Sequence, residues 1–185
     1  METNNKIKII SFDLEDWFHI IENDYEKNSS NWEKYESRIQ NNTYKILQLL
    51  SDNSIKATFF ILGWVARKYP DLIKTIFSQG HHLGTHSDMH KLVSGMNKTE
   101  FEEDLKRSLF TIEDNIGHKV NCYRAPGFSL TNKTNWVFPL LKKYGIEFDC
   151  SIVPIKTFYG GLLTNIVNTP FNIDINGDYI KEFPM

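Results

Sequence analysis

Cysteine is scarce. The 185 residues carry only Cys122 and Cys150, too few and too far apart for a disulfide scaffold, and neither sits in a paired motif. A reducing compartment is the expectation. Excess charge of either sign is missing as well, since the 24% charged residues sum to a formal net charge of −2. That balance excludes a basic stripe for a nucleic-acid backbone and an acidic tail, so no nucleic-acid partner is expected. Long apolar runs are absent too. The amino terminus offers one brief apolar stretch that stops at Asp13, too short for a signal-peptide core, and no later stretch approaches a membrane span. These absences predict a soluble, cytoplasmic protein without a transmembrane segment. No internal repeat or low-complexity region is visible.

What is present suffices for a core: 41% of the residues are hydrophobic, and the length favours one domain over residues 1–185. Lys6 to Phe12 reads as a buried strand that delivers Asp13-Leu14-Glu15-Asp16 at its carboxyl end. Asn23 to Lys34 is polar and patternless. Ile39, Thr43, Ile46, Leu47 and Leu50 then repeat at helical spacing, which predicts a helix over 37–50. A second strand is predicted over 56–62 and a helix from Pro70 to the stop at Gly80. A third strand is predicted over 81–86, with His82 inward and His81 facing water. Thr99-Glu100-Phe101-Glu102 reads as a capping box for a helix that ends at Gly117. Val120 to Tyr123, a helix over 134–144 kinked or shortened by Pro139, and Ile146 to Cys150 continue the rhythm. The tail from Lys156 has strand-like pieces and no clear helix. Alternation of this kind gives an α/β fold with a parallel sheet or barrel.

The chemistry concentrates in a few places. Four of the six histidines fall within ten residues, and the last two form His86-Ser-Asp-Met-His90. Two imidazoles four positions apart can point at one centre and hold a borderline metal such as zinc. Asp13 and Asp16 end one strand, and Arg124-Ala125-Pro126-Gly127 ends another. One carboxylate with two imidazoles leaves metal positions open for water and substrate, and Arg124 suits the task of keeping a second carboxylate ionised. Trp17, beside the acidic motif, is a candidate sugar-stacking surface. Trp64 and Trp136 are at least as well explained by the core, and Cys122 and Cys150 read as small core residues.

These residues together resemble the polysaccharide deacetylases of the chitooligosaccharide deacetylase (NodB) homology type, carbohydrate esterase family four. Ser11 to Asp16 resembles the first family motif, Ala57 to Gly63 its second strand, Thr85 to His90 the second motif, and Arg124-Ala125-Pro126 the third. Asp149-Cys150-Ser151 with Pro154 is similar to the region of the fourth. The opening through Trp17-Phe18 is similar to a subgroup associated with bacterial exopolysaccharide or capsule synthesis. The resemblance implies a distorted (β/α)7 barrel with parallel strands, one divalent metal (zinc, with cobalt, nickel or manganese tolerated), and an N-acetylated glycan as substrate. It implies Asp13 as general base toward a metal-activated water, and His86 and His90 with one carboxylate as metal ligands. Arg124 would orient Asp13, and the Gly127 N–H would stabilise the oxyanion.

Two departures stand out. Leu14-Glu15 separates Asp13 from Asp16, so the metal carboxylate is either Asp16 or Glu15. Strand alternation puts Glu15 on the face of Asp13, a turn at the strand end would swing Asp16 in, and Asp16 is favoured. No histidine follows His118, so the family's fifth motif, which supplies a general acid, has no counterpart. The expectation is a barrel incomplete at its C-terminal end, with turnover lowered about 10²-fold to 10⁴-fold. A catalytically inactive glycan-binding domain and an amidase for small non-sugar amides are the competing readings.

Overall fold

In the computed structural model, which describes residues 8–20, 29–161 and 169–185, the alternation expected from sequence forms a single seven-stranded sheet. The strands are β1 (Ser11–Leu14), β2 (Thr58–Ile61), β3 (His82–Thr85), β4 (Cys122–Tyr123), β5 (Phe148–Asp149), β6 (Phe171–Ile175) and β7 (Asp178–Glu182), in the order β1-β2-β3-β4-β5-β7-β6. All neighbouring pairs are parallel except β6 with β7. That last pair is a hairpin closed by Asn176-Gly177, whose φ values of 53° and 91° are the two left-handed positions of a type I′ turn. β1 and β6 are both edges, so the sheet is open where a barrel would close. Lys6 and Ile7 of the expected first strand, residues 23–28 of the polar stretch and residues 162–168 of the tail lie outside the described residues.

Five helices cover the described crossovers: α1 (Ile39–Asp52), α2 (Gly63–Lys68), α3 (Pro70–Ser78), α4 (Lys98–Ile116) and α5 (Val137–Lys143). The sequence reading missed α2, which is too short to show a period. It also placed the start of α4 two residues late. Asn97 is the cap: its side chain accepts from the N–H groups of Thr99 and Glu100, and the Glu100 carboxylate accepts from Asn97 N–H at 2.8 Å. The end at Gly117, left-handed with φ 68°, is as expected. Pro139 shortens α5 by falling in its first turn, where its missing N–H leaves no bond unmade.

Two burial expectations are reversed. His81 is buried, edge-on to Phe59 and accepting from Ala57 N–H, whereas His82 is exposed. Strand parity turns His82 toward the open interior of the sheet, so the alternation was right and the interior was simply not filled. In the patternless stretch, a 3-10 turn at Ser29–Lys34 buries Trp32 against His19 and Trp64. A tryptophan flanked by polar residues carries no period, and only the tertiary contact reveals it.

Candidate metal centre

β1 places Asp13 at the carboxyl edge of the sheet, and the chain then turns sharply. Asp16 caps a 3-10 turn at Trp17–His19, with its N–H donating to His19 Nδ1 at 2.8 Å. Its carboxylate accepts from Trp17 N–H (3.0 Å), the Ser37 hydroxyl (2.6 Å), Arg38 N–H (3.0 Å) and Ile39 N–H (3.3 Å). Both oxygens are therefore engaged in tying β1 to the start of α1. The expectation favoured Asp16 as metal carboxylate; the geometry turns Glu15, not Asp16, toward the histidines.

His86 and His90 leave β3 on a loop that two neighbours grip. Gly63 N–H and Trp64 N–H, at the start of α2, donate to the carbonyls of Ser87 and Asp88 at 3.0 Å. Asp88 is buried and paired with Arg67 and Arg107, and its own N–H donates to Asp104 at 2.8 Å. Ser87 (φ 72°) and His90 (φ 55°) take left-handed backbone without being glycine. Strain of that kind survives only where surroundings impose it, and here it aims two imidazoles at one point. His86 Nδ1 stands 2.8 Å from the Arg124 carbonyl, which can only accept, so this nitrogen carries the proton and Nε2 keeps its lone pair. Burial pushes the His86 imidazole down from its ordinary range, which keeps it neutral.

One nitrogen of each histidine and one oxygen of Glu15 lie within 4.8 Å of one another. His90 Nε2 is 2.9 Å from Glu15 Oε2, yet that oxygen has no hydrogen bond among the described residues. Two imidazole nitrogens and a carboxylate oxygen gathered this closely fit a cation at their centre.

Arg124, just after β4, is buried and fully used. It donates to Asp13 Oδ1 (2.7 Å), Ser11 Oγ (2.8 Å) and the Cys150 carbonyl (3.3 Å), and its guanidinium lies 4.1 Å over the Phe60 ring. Asp13 Oδ2 is 3.9 Å from His86 Nε2. The geometry thus gathers Asp13, Glu15, His86, His90 and Arg124, and leaves Asp16 aside. Gly127 sits in the Pro126–Phe128 turn with φ 58°. Trp17 donates to the Glu36 carbonyl and packs on Phe18 and Tyr35. His19, which no sequence pattern marks, is buried against Phe18, Trp32 and Trp64, and burial, with His90 adding, pushes it down to about 3.

A peptidoglycan-N-acetylglucosamine deacetylase of Bacillus cereus is 33% identical over 95 residues, covering 51% of this chain and 34% of the relative. A crystal structure from Mycobacterium smegmatis assigned to the polysaccharide deacetylases superposes with TM-score 0.75 at 19% identity, covering 96% of this chain and 57% of that one. A family 4 carbohydrate esterase of Streptomyces lividans, solved with acetate, gives TM-score 0.53 at 24% identity over 58% of this chain and 54% of its own. At these identities both structures speak for the fold alone. The matches span about a third of the length of the curated relatives, 34% and 36% for two of them. The family profile described as polysaccharide deacetylase matches residues 30–149, a stretch that takes in His86, His90 and Arg124, and the chain therefore belongs to the polysaccharide deacetylase family.

Proposed function

We propose that this chain carries the catalytic core of a metal-dependent hydrolase that removes N-acetyl groups from a bacterial polysaccharide or glycan precursor. One juxtaposition supports the reading above all: Asp13, clamped by Arg124 at 2.7 Å, faces the Glu15–His86–His90 group with its free oxygen 3.9 Å from His86 Nε2. A divalent ion on that group, zinc by ligand type, would supply Lewis acidity toward a water and the acetamide carbonyl. Asp13 accepts the proton of the attacking water, and Arg124 holds its carboxylate ionised and aimed. As the carbonyl becomes tetrahedral, the Gly127 N–H donates to the developing oxyanion. Asp13 returns the proton to the departing nitrogen, so the bond broken is C–N and the products are acetate and a free amino sugar. Trp17, next to the acidic motif, offers a ring face for a pyranose.

The test combines metal content with acetate release from N-acetylglucosamine oligomers. The unmodified chain should retain about one equivalent of zinc after dialysis. Glu15→Gln, His86→Ala and His90→Ala should retain little, while Asp13→Asn keeps the metal and loses acetate release. Acetate release that survives Asp13→Asn, or folded protein without metal in every sample, would sink the reading.

A further inference from the structure

On the far side of Arg124 from the metal group, β5 and β7 bring Asp149 and Glu182 into direct parallel register. Both carboxyl groups are fully buried, as is Ser151 between them and the third motif. Asp149 Oδ1 accepts from the Ser151 hydroxyl at 2.5 Å, and Glu182 Oε1 accepts from Ile152 N–H at 3.0 Å. The remaining oxygens, Asp149 Oδ2 and Glu182 Oε2, have no donor among the described residues. Two carboxylates in side-chain hydrogen-bonding contact cannot both stay ionised out of water, whereas one proton shared between them satisfies both.

The bonds continue in the other direction without a gap. Ser151 Oγ, having given its proton to Asp149, accepts from Ala125 N–H at 2.8 Å. That N–H belongs to the peptide whose carbonyl, Arg124 O, accepts from His86 Nδ1 at 2.8 Å. One peptide group thus links the buried pair to a candidate metal ligand. A carboxylate drawing on the serine hydroxyl polarises this peptide, strengthens its carbonyl as an acceptor and fixes both the tautomer and the ring plane of His86.

We propose that Asp149 and Glu182 share one proton and form the remote end of a hydrogen-bond chain that runs through Ser151 and the Arg124–Ala125 peptide and orients His86 for a metal. The proposal rests on the reading of Glu15, His86 and His90 as a metal site. The titratable groups facing the pair are Arg124 and Tyr123 at the end of β4, and Cys122 and Cys150 beside them. Arg124 is the cation among them. Burial first, then the neighbouring carboxyl, raises Glu182 above the usual carboxylate range, as a retained proton requires.

Zinc affinity, measured by competition with a chromophoric chelator, should fall about tenfold in Ser151→Ala, as for other outer partners of metal-binding histidines. Asp149→Asn/Glu182→Gln, which keeps the shapes and removes the shared proton, should bind zinc more weakly as well. It should also lose one proton of pH dependence. The folded pair holds a proton that the unfolded chain releases above the ordinary carboxylate range, so the unmodified chain should lose thermal stability relative to the double variant by about 4 °C per pH unit from pH 5.5 to 8.5. Equal zinc affinity in Ser151→Ala and the unmodified chain overturns the link. A pH slope equal to that of the double variant, or twice the expected difference, overturns the shared proton. If Ser151→Ala does not fold, the double variant decides alone, and unchanged affinity there overturns the proposal. An unmodified chain that binds no zinc withdraws the metal site as well, which distinguishes the two failures.

Discussion

Glu15 and Asp16 are neighbours turned to different surroundings, and substitution should separate the role proposed for Glu15 from the anchoring by Asp16. Asp16→Ala removes the acceptor for four donors from two chain segments, so it should cost about 2–4 kcal/mol in guanidinium denaturation. Glu15→Gln should leave stability nearly unchanged and abolish zinc retention. A loss of zinc in Asp16→Ala at temperatures where it stays folded, with retention in Glu15→Gln, would reverse the assignment. His19 gives a pH prediction of definite sign. Its folded value is pushed down to about 3 by burial from 6.5 in a free chain, so the unfolded state gains a proton that the folded state refuses. Stability should therefore fall as pH drops through the window from 6.5 toward 3, by roughly 1.4 kcal/mol per pH unit, and His19→Gln should flatten that limb in the metal-free chain. Asp13, His86, His90 and Arg124 could be singled out in the sequence because each lies at a strand end or in a spaced motif, and the structure brings them together. Which of Glu15 and Asp16 turns toward the histidines could not be read there, because the donors that claim Asp16 at Ser37, Arg38 and Ile39 lie more than twenty residues away.

At the scale of elements, two glycines allow the site to assemble. A Cβ on Gly84, in β3, would lie 2.6 Å from the Phe60 ring on which the Arg124 guanidinium rests. A Cβ on Gly63, at the start of α2, would fall on the Asp88 carboxylate that anchors the histidine loop. Gly84→Ala should destabilise the chain by about 1–3 kcal/mol through forced repacking of Phe60. Gly63→Ala should lower zinc affinity more than it lowers stability, since the displaced loop carries the candidate ligands His86 and His90. Equal zinc affinity in Gly63→Ala and the unmodified chain would mean that the loop absorbs the shift. The long helices α1 and α4 could be read from periodicity alone. The six-residue α2 could not, although its first two N–H groups hold the loop that carries His86 and His90. A period needs two turns to be visible, and a functional grip needs only one.

For the whole molecule, the sheet left open between β1 and β6 leaves a half-open cavity of about 790 Å³ whose lining includes Phe60, Cys122, Arg124, Phe148, Cys150 and Phe183. The sequence displayed the alternation that builds such an interior, but whether the edges meet depends on strand pairing between distant segments. Both cysteines border this apolar space, and burial pushes the Cys122 thiol up to about 12 from 9.0, and Cys150 higher still. Only the thiolate alkylates, so at pH 8 the folded chain should react with iodoacetamide about 10³-fold more slowly than a free cysteine. Slow labelling alone could equally come from rare global opening, and the pH profile separates the two. Reaction from the native chain rises about tenfold per pH unit and continues past pH 9, because the thiol is still protonated there. Reaction through unfolding levels off near the free-thiol value. A plateau near pH 9 would show the interior of the sheet to be closed to the reagent in the native chain, and a continued rise would show it to be reachable, with the protonation of its two thiols as the barrier.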